Sequence, residues 1–116
     1  MPLPDDPDAF ESAFRAAVAA VLPSTTVERV DRTIVAVKLR ADLDEHRFID
    51  VFFNARNRRV DLAVIEHGQR IFGYDNLGGW HRHPREAPER HERVPGADPW
   101  SAFLGVTGTL LSEPSP

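Results

Sequence analysis

Cysteine is absent from this 116-residue chain, which excludes disulfide bridges, zinc–thiolate centres and thiol nucleophiles together. Lysine occurs once, at Lys38, so no lysine follows the Gly78-Gly79 pair. That pair also lacks the strand-to-helix context of a phosphate-binding loop. No serine lies in a nucleophile-elbow context. No apolar run approaches the roughly 18 residues that a membrane span requires. The acidic, proline-rich start of the chain lacks the features of a secretory signal, so we expect a cytoplasmic protein with no membrane partner.

The composition is that of an ordinary globular domain. Charged residues make up 28% of the chain and hydrophobic residues 41%, which is typical of folded proteins. A chain of this length fits one core, so we expect a single domain over residues 1–116, with frayed ends at 1–6 and 112–116. The net charge of -4 provides no general basic field, and a polyanionic partner would need a local patch.

Helical periodicity appears at both ends of the chain. Asp6-Pro7 is typical of an N-cap followed by a proline in the first turn, and Pro23 ends this segment. The apolar residues between them recur at helical spacing and form one stripe: Phe10, Phe14, Ala17, Val18 and Val21. Asp98-Pro99 repeats the start signal and predicts a C-terminal helix, weakened by Gly105 and Gly108.

Alternating apolar and polar residues predict strands between the two helices. The alternation is clearest in segments 33–40, 46–53 and 59–66. His67-Gly68 predicts a two-residue hairpin loop, because glycine supplies the positive φ that such turns need, and 69–74 would pair back antiparallel. In the middle segment, one face would carry Ile49, Val51 and Phe53 and the other Phe48, Asp50 and Phe52.

Short turns between closely spaced strands favour an antiparallel meander, because parallel strands would need helical crossovers. The predicted fold is an α+β domain in which an N-terminal helix packs on an antiparallel meander of about four strands. A histidine-containing loop over 74–91 and a C-terminal helix would complete it.

Histidines cluster after the predicted sheet. His81 and His83 are one residue apart, so on an extended segment both imidazoles point to the same side. Such a pair could bind a divalent metal ion, with Asp75, His91 or a more distant carboxylate completing the shell. Because histidine titrates near neutral pH, the two rings could instead exchange protons with a substrate. The remaining interpretation is an exposed loop whose histidines bond only to backbone and water.

Neighbouring residues would suit RNA. Cleavage of RNA by its own 2′-hydroxyl needs a base, an acid and cations that hold the phosphate. Arg70 and Arg82 offer the forked donors that fit phosphate, and Tyr74 and Trp80 could stack on unpaired bases. Against this, the glutamates interleaved through 82–93 favour a mixed-charge, solvated loop when that stretch is taken alone.

Asp75 and Asn76 end the last predicted strand. Both residue types tolerate left-handed backbone and bond to nearby amides, so a turn-forming role competes with a role in orienting the histidines.

The run from Arg70 to Asn76, followed by His81-Arg82-His83, resembles the small TumE-like proteins associated with toxin–antitoxin loci. Tyr74-Asp75-Asn76 matches that family's aromatic-Asp-Asn turn at a strand end, and the two histidines match its His-x-His element. The resemblance covers about residues 35–111. It implies a short antiparallel sheet with a closing helix, and a genomic context more than a reaction.

The leading hypothesis is therefore a toxin-like component of a toxin–antitoxin system that acts on RNA, with an antitoxin protein as its partner. His81 and His83 would be the acid–base pair, oriented by Asp75 and Asn76. Two alternatives stay open: a non-enzymatic interaction module, as a homodimer, and a small metal-binding protein that uses the His-x-His segment.

Overall fold

A computed structural model describes residues 3–84, 86–87, 89–90, 92–93 and 99–112, without the side chains of 99–102 and 111–112. Within these residues the chain forms two helices and seven strands. They are α1 (Pro7–Val21), β1 (Val27–Arg32), β2 (Ala36–Asp42), β3 (Arg47–Asn54), β4 (Arg59–Glu66), β5 (Gln69–Asp75), β6 (His81–His83), β7 (Glu92–Arg93) and α2 (Pro99–Ser112). Neither helix is long and apolar enough to cross a membrane. Of the predicted frayed ends at 1–6 and 112–116, residues 1–2 and 113–116 lie outside the described residues, as does the predicted cap at Asp98.

The first helix begins where the sequence predicts. The Asp6 carboxylate accepts a hydrogen bond from the Ala9 amide at 2.8 Å, which satisfies one of the free N–H groups of the first turn. Three members of the predicted apolar stripe are buried, namely Phe10, Phe14 and Val18. Val21 is exposed, contrary to the prediction, because the helix ends there and the next residue, Leu22, enters the core instead.

A bulge in β1 orients two arginines of this edge strand toward α1. The pairing of β1 with β2 shifts between Arg29 and Asp31, so Arg29 and Arg32 both face α1. The Glu11 carboxylate accepts hydrogen bonds from Arg29 at 2.7 Å and from Arg15 at 2.9 Å. Burial raises the pKa of Glu11, but these two guanidinium groups outweigh it and hold the pKa below its ordinary value.

All seven strands belong to one antiparallel sheet in which spatial order follows chain order, which confirms the predicted meander. The predicted number of about four strands is too low, partly because His81–His83 and Glu92–Arg93 are strands and not parts of a loop. With three and two residues, these strands are too short to show a recognisable alternation of apolar and polar side chains. They are held by pairing onto β5 and by an ion pair across β6 and β7, with Arg82 Nη2 at 2.7 Å from Glu92.

The hairpin between β4 and β5 has the predicted geometry. His67 and Gly68 have φ values of 49° and 79°, as a tight turn with two left-handed residues requires. The turn between β1 and β2 differs from prediction, since 33–35 are not in the second strand. There the Thr33 hydroxyl accepts hydrogen bonds from the amides of Val35 and Ala36, which favours a turn over continued pairing.

One face of the sheet carries the hydrophobic core. The buried side chains of β3 and β4 alternate as predicted, and both helices pack on this side. The Phe10 ring stacks on Phe53 with centroids 4.4 Å apart, and Phe103 of α2 stacks on Phe72 at 5.5 Å. We call the opposite side the outer face. Its members include Ala36, Lys38, Arg40, Asp42, Phe48, Asp50, Phe52, Asn54, Asp61, Ala63, Ile65, Arg70, Gly73, Asp75, His81 and His83.

Candidate active site on the outer face

A buried histidine–aspartate pair lies where β5 meets β6. The register sets His81 opposite Asp75 and His83 opposite Gly73, so both histidines lie on the outer face, as their spacing predicts. His83 Nε2 is 2.6 Å from Asp75 Oδ2, and the two residues are only 1% and 6% exposed. The other Asp75 oxygen accepts a hydrogen bond from the Leu77 amide at 3.1 Å. Asp75 therefore both ends its strand and orients a histidine, and the two roles considered for it are compatible.

His81 is held differently. Its Nδ1 donates to the carbonyl oxygen of Gly79 at 2.9 Å, which makes Nε2 the proton-accepting nitrogen of the neutral ring. The side chain is partly exposed, unlike that of His83. The structure thus brings the two histidines to one face in two different environments.

Asp61 joins this group, although nothing in the sequence distinguishes it. Asp61 of β4 lies directly opposite Asp75, so two carboxylates face each other across adjacent strands. Burial raises the pKa of Asp61 and the charge of Asp75 raises it further, while Arg59, Arg70 and His83 act in the opposite direction. A carboxyl group with a raised pKa next to a buried histidine–aspartate pair is typical of acid–base sites. In the sequence, Asp61 is an ordinary polar residue of an alternating strand.

A pocket of about 340 Å³ opens beside this group. Its floor is Ala63, whose partner across β5 is Gly73, so two adjacent positions lack large side chains. Glycine is required there, because a Cβ on Gly73 would lie 2.7 Å from the Leu62 carbonyl oxygen. The remaining lining residues are Lys38, Asp50, Phe52, Asp61, Ile65 and Arg70.

The charged side chains of the pocket are unpaired within the described part of the chain. Lys38, Asp50, Asp61 and Arg70 make no ion pair or side-chain hydrogen bond to any described residue. Arg40 and Asp42, on the same face, do pair with each other at 2.9 Å. A pocket whose walls carry two cations and two carboxyl groups without internal partners can offer all four to a ligand. Arg70 is thus at the site, as predicted.

Two predicted site residues lie on the other side of the sheet. Tyr74 is 5% exposed and packs in the core edge-on to Phe72 and Phe103, where it cannot stack on a base at the pocket. Arg82 also has the core-side orientation, and its Nε donates to Glu92 at 2.8 Å. The sequence groups both with the histidines because they are close in the chain, but consecutive residues of a strand point to opposite faces.

Trp80 and Asn76 have structural contacts. Trp80 is partly buried against the core cluster. The Asn76 side chain accepts a hydrogen bond from the Val60 amide and donates one to the Arg58 carbonyl oxygen, each at 2.8 Å. These contacts are those of a turn-forming residue, and none of them is made to a histidine.

A metal site is not formed by the residues that the structure describes, since no three of their histidine and acidic side chains are grouped to hold an ion. His91, a predicted candidate ligand, lies outside the described residues.

Comparison of the chain with protein-family models, curated proteins and solved structures finds no match. The resemblance to TumE-like proteins therefore rests on the motif residues alone.

Proposed function

We propose that this protein is a toxin-like component of a toxin–antitoxin system and that it cleaves RNA by acid–base catalysis on the outer face. The motif resemblance supports the toxin–antitoxin context, and with it an antitoxin protein as partner. The observation that carries the reaction is the row of Asp61, Asp75 and His81, in register on three adjacent strands, with His83 bound to the central carboxylate.

The separation of Asp61 and His81 across the row suits one phosphodiester group. Strands are spaced about 4.8 Å apart, so the backbones of Asp61 and His81 are separated by roughly 10 Å with Asp75 between them. Two side chains that lean toward each other over that distance can contact opposite sides of one phosphate. Such an arrangement places one proton-transferring group beside the attacking oxygen and another beside the leaving oxygen.

In the proposed reaction, His81 Nε2 accepts the proton of the ribose 2′-hydroxyl while that oxygen bonds to the adjacent phosphorus. The bond from phosphorus to the 5′ oxygen breaks, and the Asp61 carboxyl group donates its proton to that oxygen. The products are a 2′,3′-cyclic phosphate and a 5′-hydroxyl. A raised pKa is what Asp61 needs to hold a proton for this step.

The other residues hold the reacting groups in place. Asp75 bonded to His83 fixes the carboxylate between the two catalytic side chains and links β5 to β6. Arg70, exposed at the rim of the pocket and close to Gly73 and Asp61, would neutralise phosphate oxygens as charge develops.

The test is cleavage of single-stranded RNA by purified protein and by two isosteric variants, His81→Gln and Asp61→Asn. Each should lower the rate by about 100-fold or more, the usual contribution of a general acid or base. His46→Gln is the matched control, because His46 is an exposed histidine in the turn just before β3 and does not line the pocket. The variants should also relieve any growth arrest that the wild-type protein causes. If folded His81→Gln and Asp61→Asn cleave at the wild-type rate, the proposed catalytic roles are wrong.

A further inference from the structure

The pocket beside the row of Asp61, Asp75 and His81 has room for one small ligand group. Ala63 lies at its centre, with Asp50 on β3 to one side and, on β5, the side chain of Arg70 beside Gly73 to the other. Its volume of about 340 Å³ is at the small end of the range of roughly 300–1,000 Å³ for ligand pockets. The site therefore suits a single ring system better than a folded macromolecular surface.

Two large apolar side chains, Phe52 and Ile65, line the pocket on either side of Ala63. Phe52 lies next to Asp61 across the strands, and Ile65 lies two residues beyond Ala63. Both are partly exposed, as an aromatic or aliphatic side chain must be to pack on the face of a ligand ring. Aromatic stacking on unpaired bases is the common way in which a β-sheet face holds single-stranded nucleic acid.

Asp50 is the carboxylate on the β3 side of Ala63. The adjacent cation, Arg40, does not pair with it, because Arg40 donates to Asp42 and lies over the Phe48 ring at 3.8 Å. An ionised carboxylate only accepts hydrogen bonds. Its best base partner is guanine, whose N1–H and N2–H groups are adjacent donors. Adenine, cytosine and uracil each place a lone pair next to their donor, which the carboxylate repels.

Cations at both ends of the pocket complete a nucleotide site. Lys38 lies at the end next to Phe52, and Arg70 lies at the end next to Ile65. A base bound over Ala63 would have its phosphates within reach of one or the other. Because the pocket shares Asp61 with the catalytic row, the bound nucleotide would adjoin the bond that is cleaved.

We infer that this pocket binds an unpaired guanine and that Asp50 is its specificity-determining residue. The substrate class is then single-stranded RNA cut next to a guanine. The second statement rests on the proposed cleavage, whereas base recognition is a binding property that can be measured by itself.

The binding test is calorimetric titration of the protein with GMP, IMP, AMP, CMP and UMP. GMP should bind at least about tenfold more tightly than AMP, CMP and UMP, and IMP, which lacks the N2 amino group, should be intermediate. Asp50→Asn should abolish the preference for GMP. Ala63→Leu should fill the floor and prevent binding of all five. Ala36→Leu is the matched control, because Ala36 is on the same face two residues before Lys38 and does not line the pocket.

The outcomes separate this inference from the proposed function. Preferential GMP binding without RNA cleavage would support the guanine pocket and refute the ribonuclease. Cleavage with equal binding of all nucleotides, or with a guanine preference that Asp50→Asn retains, would refute the pocket and leave the ribonuclease standing. Failure of every mononucleotide to bind would also overturn the pocket.

Discussion

His83 Nε2 lies 2.6 Å from Asp75 Oδ2, and this contact between two buried side chains joins the short strand β6 to β5. Replacing His83 by alanine would remove the imidazole that contacts the buried Asp75 carboxylate. Loss of one member of a buried pair typically costs about 3–5 kcal/mol. We therefore expect His83→Ala to lower the free energy of unfolding by several kcal/mol, measured by urea denaturation at neutral pH.

His46→Ala is the control for that measurement. Its side chain is 61% exposed, and its ring lies 3.9 Å from Glu45 and 4.6 Å, between centroids, from the exposed His67. Its removal should therefore change the free energy of unfolding by no more than about 0.5 kcal/mol. Equal urea midpoints for His83→Ala and His46→Ala would show that the buried pair does not hold β6 in place.

Gly73 gives a second prediction, because it is the position where the sheet tolerates no side chain. A Cβ there would lie 2.7 Å from the Leu62 carbonyl oxygen and 3.3 Å from Arg70 Cδ. The first of these atoms belongs to the backbone of a paired strand and cannot move without disturbing the ladder. Gly73→Ala should therefore destabilise the protein by about 1–3 kcal/mol, the usual cost of overpacking, as measured by thermal denaturation.

Gly105→Ala is the matched substitution. Gly105 lies within α2, and a Cβ there meets nothing within 4 Å. Alanine is favoured over glycine inside a helix by about 1 kcal/mol, so this variant should be more stable than the wild type. The prediction about Gly73 is wrong if both alanine variants shift the melting temperature in the same direction.

The elements that the sequence predicts well are those with local causes. Asp6 caps α1 through a residue three positions away, and His67-Gly68 adopts left-handed backbone by itself. The alternation in β3 is likewise visible in eight consecutive residues. Such signals need no knowledge of the rest of the chain.

The residues of the candidate site, by contrast, come together only through pairing between strands that are distant in the chain. Asp50 and Asp61 become neighbours of Asp75 only through the register of three strands, and an outward polar residue in a strand is ordinary before that register is known. Residues that are adjacent in the chain can also be wrongly grouped into one site. Tyr74 lies next to Asp75 yet faces the core. The sequence does predict that His81 and His83 share one face, because residues two apart in a strand point to the same side whichever strand they pair with.

Asp61 allows a prediction about pH. Burial and the facing Asp75 raise the pKa of Asp61 above its ordinary value of 3.8, against the opposing charges of Arg59, Arg70 and His83. The folded protein therefore keeps this proton at pH values where the unfolded chain has already lost it. When the folded state binds more protons, stability decreases as pH rises, here from about pH 4 through the raised pKa of the folded state. Asn at this position is neutral throughout, so Asp61→Asn should match the wild type in strong acid and exceed its stability at neutral pH.

The measurement is the melting temperature of the wild type and of Asp61→Asn between about pH 3 and pH 8. The two curves should diverge as the pH rises, with the variant higher. Asp42→Asn is the control, because Asp42 accepts a hydrogen bond from Arg40 at 2.9 Å, and its loss should lower the melting temperature at neutral pH rather than raise it. Should Asp61→Asn be no more stable than the wild type at neutral pH, the Asp61 carboxyl group is not disfavoured in its charged form. Its role as the proton donor would then lose its physical basis.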